Sequence, residues 1–311
     1  MRRDISIAAV LAVLLAGLAA FSARAEKKSC PLCERWNAAQ EPFRIYGNTY
    51  YVGPRGLSSV LITSPEGHVL IDGGLPQSAP VIVANIEKLG FKIEDVRLLL
   101  HSHTHFDHVG GLAELKRLSG ATLATSPLSA LAFKNGLPVP SDPQAELREG
   151  FPAIEDAEVI KDGHTLHVGP IAITGHYTPG HTPGGMSWSW QSCEGERCVN
   201  LVYGDSLTAV SHDDFRFSDS DTYPNVLEDF RKSFGVFERL PCDILITAHP
   251  EATGLWEKLA AREAGDANAL IKPGACREYA ANARRKLNER VEREKREASQ
   301  RAAEAARSSG L

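Results

Sequence analysis

The sequence predicts an α/β domain built from two similar halves, on three observations. Short β-rich runs recur over residues 43–72 and again over 166–203, and each set leads into segments whose apolar residues fall at helical spacing. Apolar residues make up 43% of the 311-residue chain, enough for a sizeable core. The remaining length fits terminal extensions better than a second domain, so the expected boundaries are a signal peptide at 1–25, an N-terminal extension at 26–42, the main domain at 43–276 and a charged C-terminal helix or tail at 277–311.

Residues 1–25 hold Arg2 and Arg3, an apolar run rich in Ala and Leu, and then Ala23-Arg24-Ala25, which has the form of a signal-peptidase site. The run is short for a bilayer and polar residues follow it at once, so a secretory signal explains it better than a membrane anchor. Export to the periplasm is expected, with no membrane attachment after cleavage. The formal net charge of −5 gives no reason to invoke nucleic acid, and a monomer acting on a small molecule is expected.

Six cysteines in an exported chain read as disulfides before they read as ligands. Cys193 and Cys198 flank a tight turn between two β-rich runs and are expected to staple a hairpin. Cys242 precedes a buried strand and Cys276 opens the last helix, so these two are expected to pair. Cys30 and Cys33 remain as a local bridge or a structural tether, since no βαβ pattern follows that would mark a redox site.

In chain order, the runs Phe43–Tyr46, 49–52, 59–63 and 68–72, broken by Gly47-Asn48, Gly53-Pro54 and Pro65-Glu66-Gly67, read as an antiparallel meander. Val81, Ile82, Ile86 and Leu89 then mark a helix closed by Gly90. The apolar strand Val96–Leu100 follows, then Gly110-Gly111 and a helix over 112–118. Residues 122–125 read as a strand, with Ser126-Pro127 as the N-cap and first position of the next helix. Residues 136–156 are Pro-rich and without periodicity, the mark of a functional or disordered loop. Strands resume at 166–168, Ile171–Tyr177, 185–190 and 199–203. An amphipathic helix occupies 225–240, and the buried strand Ile244–Thr247 ends just before His249. Beyond Cys276 the chain is mostly Ala, Arg, Glu and Lys, a helix whose last two dozen residues are expected to be solvated and frayed.

The chemistry is concentrated in His103-Thr104-His105-Phe106-Asp107-His108, directly after strand 96–100. Neutral imidazole nitrogen and ionised carboxylate are ligands preferred by a borderline cation such as Zn²⁺, and a loop leaving a buried strand can aim several at one point. In an extended loop, alternation would put His103, His105 and Asp107 on one side and swing His108 round through a turn. That suits two neighbouring metals better than one. His181, in the rigid loop Thr178-Pro179-Gly180-His181-Thr182-Pro183-Gly184-Gly185, and His249 also lie just past strands, and strand-end loops on one sheet edge converge on a common crevice. His101, in register with His103, is a candidate to support a ligand ring.

The pattern His103-x-His105-x-Asp107-His108, followed by Pro179-Gly180-His181-Thr182-Pro183-Gly184 and a strand-end His249, resembles the metallo-β-lactamase superfamily over about residues 43–259. The resemblance implies an αβ/βα four-layer sandwich, two mixed β-sheets flanked by helices, with a dinuclear zinc site along one edge. Carried over by motif, His103, His105 and His181 would hold the first of two zinc ions, and Asp107, His108 and His249 the second. The all-histidine first site, the lack of a cysteine near Tyr203-Gly204-Asp205-Ser206, and the segments Gly56-Leu57-Ser58-Ser59, Ile71-Asp72-Gly73-Gly74, Ser187-Trp188-Ser189-Trp190 and Asp205-Ser206-Leu207-Thr208 look like subclass B3. His101 departs from it, an Asn being usual there.

The implied activity is hydrolysis of the β-lactam amide of penicillins, cephalosporins and carbapenems by a hydroxide held between two zinc ions, conferring antibiotic resistance. Asp107 would orient the nucleophile and shuttle its proton, Ser206 and Thr208 would bind the substrate carboxylate, and Gln144 would line the pocket wall. Two other readings stand beside this one. A lactonase or thioester hydrolase of the same fold would use a carboxylate such as Asp205 to bridge the metals. A non-catalytic zinc-binding protein would not need an open dinuclear centre.

Overall fold

Apolar residues on both faces of the central strands require each sheet to be covered on both sides. The computed structural model describes residues 30–308, and the segment read as a signal peptide lies outside them. The chain divides into a short unit, 1–34, and a large one, 35–311. In the short unit, Cys30 is bridged to Cys33.

In the large unit, one sheet has seven strands in sequence order, β1 (Phe43–Tyr46), β2 (Thr49–Tyr51), β3 (Val60–Ile62), β4 (His68–Ile71), β5 (Val96–Leu100), β6 (Thr122–Thr125) and β7 (Glu158–Val159). It is antiparallel from β1 to β4 and parallel from β4 to β7. The other sheet has five, β8 (Thr165–Val168), β9 (Ile171–Tyr177), β10 (Met186–Glu194), β11 (Arg197–Gly204) and β12 (Ile244–Thr247), with β12 parallel to β11 and the rest antiparallel. Both sheets are mixed, as expected.

Period-two alternation sorts the side chains into layers. Val60, Ile62, Val69 and Ile71 from the first sheet meet Leu201, Tyr203, Ile244 and Ile246 from the second in the core between them. One residue out of phase, Leu61, Leu70 and Leu99 face outward, where α1 (Ala79–Lys88) contributes Ile82 and Ile86 and α3 (Leu112–Ser119) contributes Leu112 and Leu115. On the far side, Val202 and Leu245 meet Phe230, Phe234 and Phe237 of α5 (Val226–Arg239) and Ala280, Ala283 and Leu287 of α7 (Ala275–Ser308). The four layers αβ/βα follow. Between α3 and α5, helix α4 (Pro127–Asn135) starts as its sequence dictates, with Ser129 N donating to the Ser126 hydroxyl and Pro127 in the first turn.

Three features go beyond the sequence reading. The β10–β11 ribbon reaches Glu194 and Arg197, past the expected strand ends, and Cys193 and Cys198 face each other across it and are bridged. β7 and α6 (Leu255–Glu263) were not read, β7 being a two-residue exposed strand without a pattern. Helix α7 is anchored farther than its composition suggests, because Val291 and Glu294 are still buried. Ser218 N donates to the Glu294 carboxylate at 2.9 Å, so the solvated part of α7 begins only beyond it.

Cys242 and Cys276 are bridged across 34 residues, tying the entry of β12 to the first turn of α7. Replacing both by Ser is expected to cost about 4 kcal/mol on the chain-entropy account, read as a lower denaturation midpoint in urea.

Candidate metal centre

The strands of both sheets end in loops that meet along one edge. Asp72 follows β4, residues 101–108 follow β5, 178–185 follow β9, Asp205 follows β11 and His249 lies two residues past β12. Backbone contacts lock the loops together, with Met186 N donating to the Ser102 carbonyl at 2.7 Å and Trp188 Nε1 to the His101 carbonyl at 2.8 Å.

Asp72 sets the start of the histidine loop. Its backbone turns into the left-handed region at φ 60°, and its buried carboxylate accepts from Ser102 N and Ser102 Oγ, both at 2.7 Å, and from Tyr203 Oη at 2.8 Å. Burial pushes its carboxyl up to about 6, against the pull of His108 and these donors. The loop's exit lies against the backbone after Asp72, where a Cβ on Gly111 would stand 2.3 Å from the Gly73 carbonyl oxygen. Only glycine fits there.

The histidine loop is not extended throughout, and here the structure corrects the alternation expected from sequence. His105 is still extended, but Phe106–Val109 forms a one-turn helix, α2. Helical residues rotate by about 100° rather than 180°, so Asp107 turns away from His103 and His105 and lies beside His108. Two clusters result. His103, His105 and His181 form one, Asp107, His108 and His249 the other, with the candidate ligand atoms in each lying within 4.8 Å of one another. The His103 and His108 ring centroids, 4.3 Å apart, make the clusters neighbours.

In the first cluster, partners outside it take one nitrogen of each ring and leave the other. His103 Nδ1 is 2.7 Å from Asp205 Oδ1, and its Nε2 is buried without a hydrogen-bond partner. His105 Nε2 lies 3.1 Å from Asp142 Oδ2, leaving Nδ1. His181 Nδ1 is 2.8 Å from the Thr208 carbonyl oxygen, leaving Nε2. These contacts fix the tautomers and aim a lone pair from each ring at a common point.

In the second cluster, His108 Nε2 is 3.2 Å from His249 Nε2, and Asp107 Oδ2 is 3.3 Å from the first and 3.5 Å from the second. A tetrahedron around zinc with bonds of ~2.0–2.1 Å has edges of ~3.3 Å, so this triangle of donors fits one face of it. Both donor sets, all-imidazole and imidazole with carboxylate, therefore suit a zinc-like cation.

The charge states agree for His103, His181, His249 and Asp107, while at His105 burial pulls the pKa downward but the Asp142 carboxylate outweighs it and raises it. Burial, with the neighbouring imidazoles, holds His103 well below the ordinary histidine value, and burial brings His181 down to about 3 and His249 to about 4. These rings are neutral at physiological pH, as ligands must be. For Asp107, burial pulls upward but His108 and His249 outweigh it, keeping the carboxylate ionised well below its usual range.

Other residues expected at the site fall as follows. Ser206 is buried and its N donates to Asp205 Oδ1 at 2.7 Å. The Thr208 hydroxyl is 3.3 Å from His181 Nδ1, but the closer contact is through its carbonyl. Gln144 is half-buried, its N donating to Asp142 Oδ1 at 2.7 Å. The His101 ring turns away from the clusters to Thr125 Oγ1 at 2.8 Å, packed on Phe133.

Sequence reasoning missed Asp142 and the part played by Asp205. Asp142 is supplied by the Pro-rich loop and gave no local signal beyond the length of that loop. Asp205 reaches behind His103, and a Cβ on Gly185 would lie 2.1 Å from its Oδ2, which explains one glycine of the His181 loop. Removing the Asp142 carboxylate in Asp142→Ala is expected to weaken zinc affinity about 10- to 100-fold in a competitive chelator titration, because His105 loses the partner that orients it.

Comparison with known proteins agrees with the fold. The profile of the metallo-beta-lactamase superfamily matches residues 52–249. Among solved structures, the chain is similar to Rm3 metallo-beta-lactamase, with 56% identity and a TM-score of 0.84 over 86% of this chain and 99% of that one. It is also similar to MEM-A1, a subclass B3 metallo-beta-lactamase isolated from a soil metagenome library, with 47% identity and a TM-score of 0.82 over 84% and 99% of the two chains. Among curated proteins, it is 31% identical over 122 residues to a hydroxyacylglutathione hydrolase of Rhodopseudomonas palustris, 39% of this chain and 38% of that protein. The chain thus spans little more than a third of that relative's length.

Proposed function

From a chain that belongs to the metallo-β-lactamase superfamily, we propose an enzyme that hydrolyses the amide bond of β-lactam antibiotics with two zinc ions. His103, His105 and His181 would hold one, and Asp107, His108 and His249 the other. Bound zinc supplies Lewis acidity, polarising a carbonyl and bringing the pKa of water from 15.7 to about 7.

The chain's own residues do the rest. Asp107, ionised and 91% enclosed at its side chain, accepts the proton that the attacking water loses and returns it to the lactam nitrogen as the C–N bond breaks. Asp205, Asp142 and the Thr208 carbonyl hold three imidazoles in place, so the site is organised before substrate arrives. His249 is the most open of the six, its side chain 36% exposed against 1% for His108, which puts the substrate's approach on its side, beside Trp36 at 5.6 Å between ring centroids. The Ser206 and Thr208 hydroxyls would receive the substrate carboxylate, and Gln144 would form part of the wall. Export to the periplasm fits the three disulfides, and the chain would act there as a monomer.

The observation that carries this reading over a thioester hydrolase or lactonase is the engagement of Asp205. Its Oδ1 meets the Nδ1 side of His103, opposite the nitrogen left for the cluster, so it is poorly placed to bridge two metals. The test is turnover of nitrocefin and meropenem against turnover of an acyl-homoserine lactone and S-lactoylglutathione, each with and without a chelator. Lactam turnover lost to the chelator and restored by zinc is expected. Lactone or thioester turnover without lactam turnover overturns the reading.

A further inference from the structure

We propose that the protein has a second, cationic cavity that binds small organic anions with an apolar body. A cavity of about 560 Å³ lies between α7, the start of α6 and the loop after β11, a size typical of ligand sites. Of the residues that line it, Lys258, Lys272, Arg285, Lys286, Arg290 and Arg293 are cationic and only Glu278 is acidic. Its floor is apolar, with Leu207, Leu245 and Ala283. None of the six clustered residues lines it, nor do Ser206 or Gln144, although Thr208, whose carbonyl meets His181, borders both places. It therefore adjoins the metal centre through Thr208 but contains none of the proposed ligands.

The arrangement follows from helical periodicity. Tyr279, Ala283, Lys286, Arg290 and Arg293 recur at steps of three and four along α7 and so share one face, which forms one wall of the cavity. Lys258 stands in another wall, from α6. In a chain with formal charge −5, six cations around one concavity are a local excess that ordinary solubility does not require. Nor is the excess neutralised within the fold. Lys272 pairs with Glu278 at 2.5 Å, Arg290 with Glu294 at 2.5 Å and Arg285 with Glu289 at 3.7 Å, but among the described residues Lys258, Lys286 and Arg293 form no ion pair within 4.0 Å. Lys258 is also partly buried, and burial, with Lys272 nearby, lowers its pKa. A partly buried lysine whose nearby carboxylate, Glu278, is already paired with Lys272, above an apolar floor, suits a ligand that brings both the charge and the apolar surface.

The site would also communicate with the metal centre. Tyr279 Oη accepts from Leu207 N at 3.1 Å and donates to the Asp205 carbonyl at 3.0 Å, and Asp205 holds His103.

Naphthalene-1,5-disulfonate is a suitable probe, because it has two charges on an apolar body and sulfonates are poor zinc ligands. The test is calorimetric titration of the zinc-loaded protein, the Lys286→Glu/Arg293→Glu variant and the charge-conserving Lys286→Arg/Arg293→Lys variant. Both positions are exposed, so both variants should unfold at the parent's temperature. Binding at one site is expected, weakened by added salt, reduced at least ~10-fold in the Glu variant and retained in the charge-conserving one. No binding to the parent, or equal binding to the Glu variant, overturns the proposal. Neither readout involves lactam turnover, so its failure is distinct from failure of the proposed activity.

Discussion

Replacing Asp107 by Asn is expected to lower kcat for β-lactams by about 10²- to 10⁴-fold, the range for losing a positioned proton acceptor. The amide has nearly the same shape, so the fit beside His108 and His249 is kept. What it loses is the negative charge, which the site protects by holding the Asp107 carboxyl well below its usual range, and the oxygen that would take the proton. The carboxylate is also a proposed ligand, so the assay must be run at saturating zinc with metal content measured in parallel. Full zinc occupancy with a collapsed kcat isolates the proton role. Full occupancy with an unchanged kcat would remove Asp107 from the chemistry and leave it a ligand only.

The largest effect on folding is expected at Asp72, which touches none of the proposed ligands at hydrogen-bond distance. Asp72→Ala is expected to cost about 3–5 kcal/mol, measured by urea denaturation with the disulfides intact. The Ser102 amide would be left buried without its acceptor, and alanine would have to adopt a φ of 60° that aspartate tolerates better. Tyr203 suffers less, since its hydroxyl also reaches the Ser58 carbonyl at 3.0 Å. Asp72→Asn keeps an acceptor for Ser102 N and should cost about 1–2 kcal/mol. Equal losses for both variants would mean that the charge on Asp72, not its hydrogen bonds, stabilises the loop.

The contrast between Asp107 and Asp72 shows what the sequence could and could not reveal. Asp107 lies among three histidines in six residues, and a metal cluster written into one loop is legible because its spacing is local. Strand alternation was equally legible, because one residue out of phase separates the inner core from the outer, as with Val60 and Leu61. Asp72, Asp142 and Asp205 work through contacts 30, 37 and 102 residues away in sequence. No window holds both partners of such a pair. The histidine loop was misread for a different reason, since strand alternation was extended past β5 into a helical turn that four residues are too few to announce. The depth to which α7 is packed was hidden by its alanines, because Ala280 and Ala283 give little hydrophobic signal but allow close approach to the phenylalanines of α5.

The most direct test of the central claim is an anomalous difference map at the zinc edge from crystals of the zinc-loaded protein. Two peaks are expected, one touching His103, His105 and His181 and one touching Asp107, His108 and His249, with Asp205 bonded to neither. A single peak, or Asp205 found bridging a pair, would contradict the account.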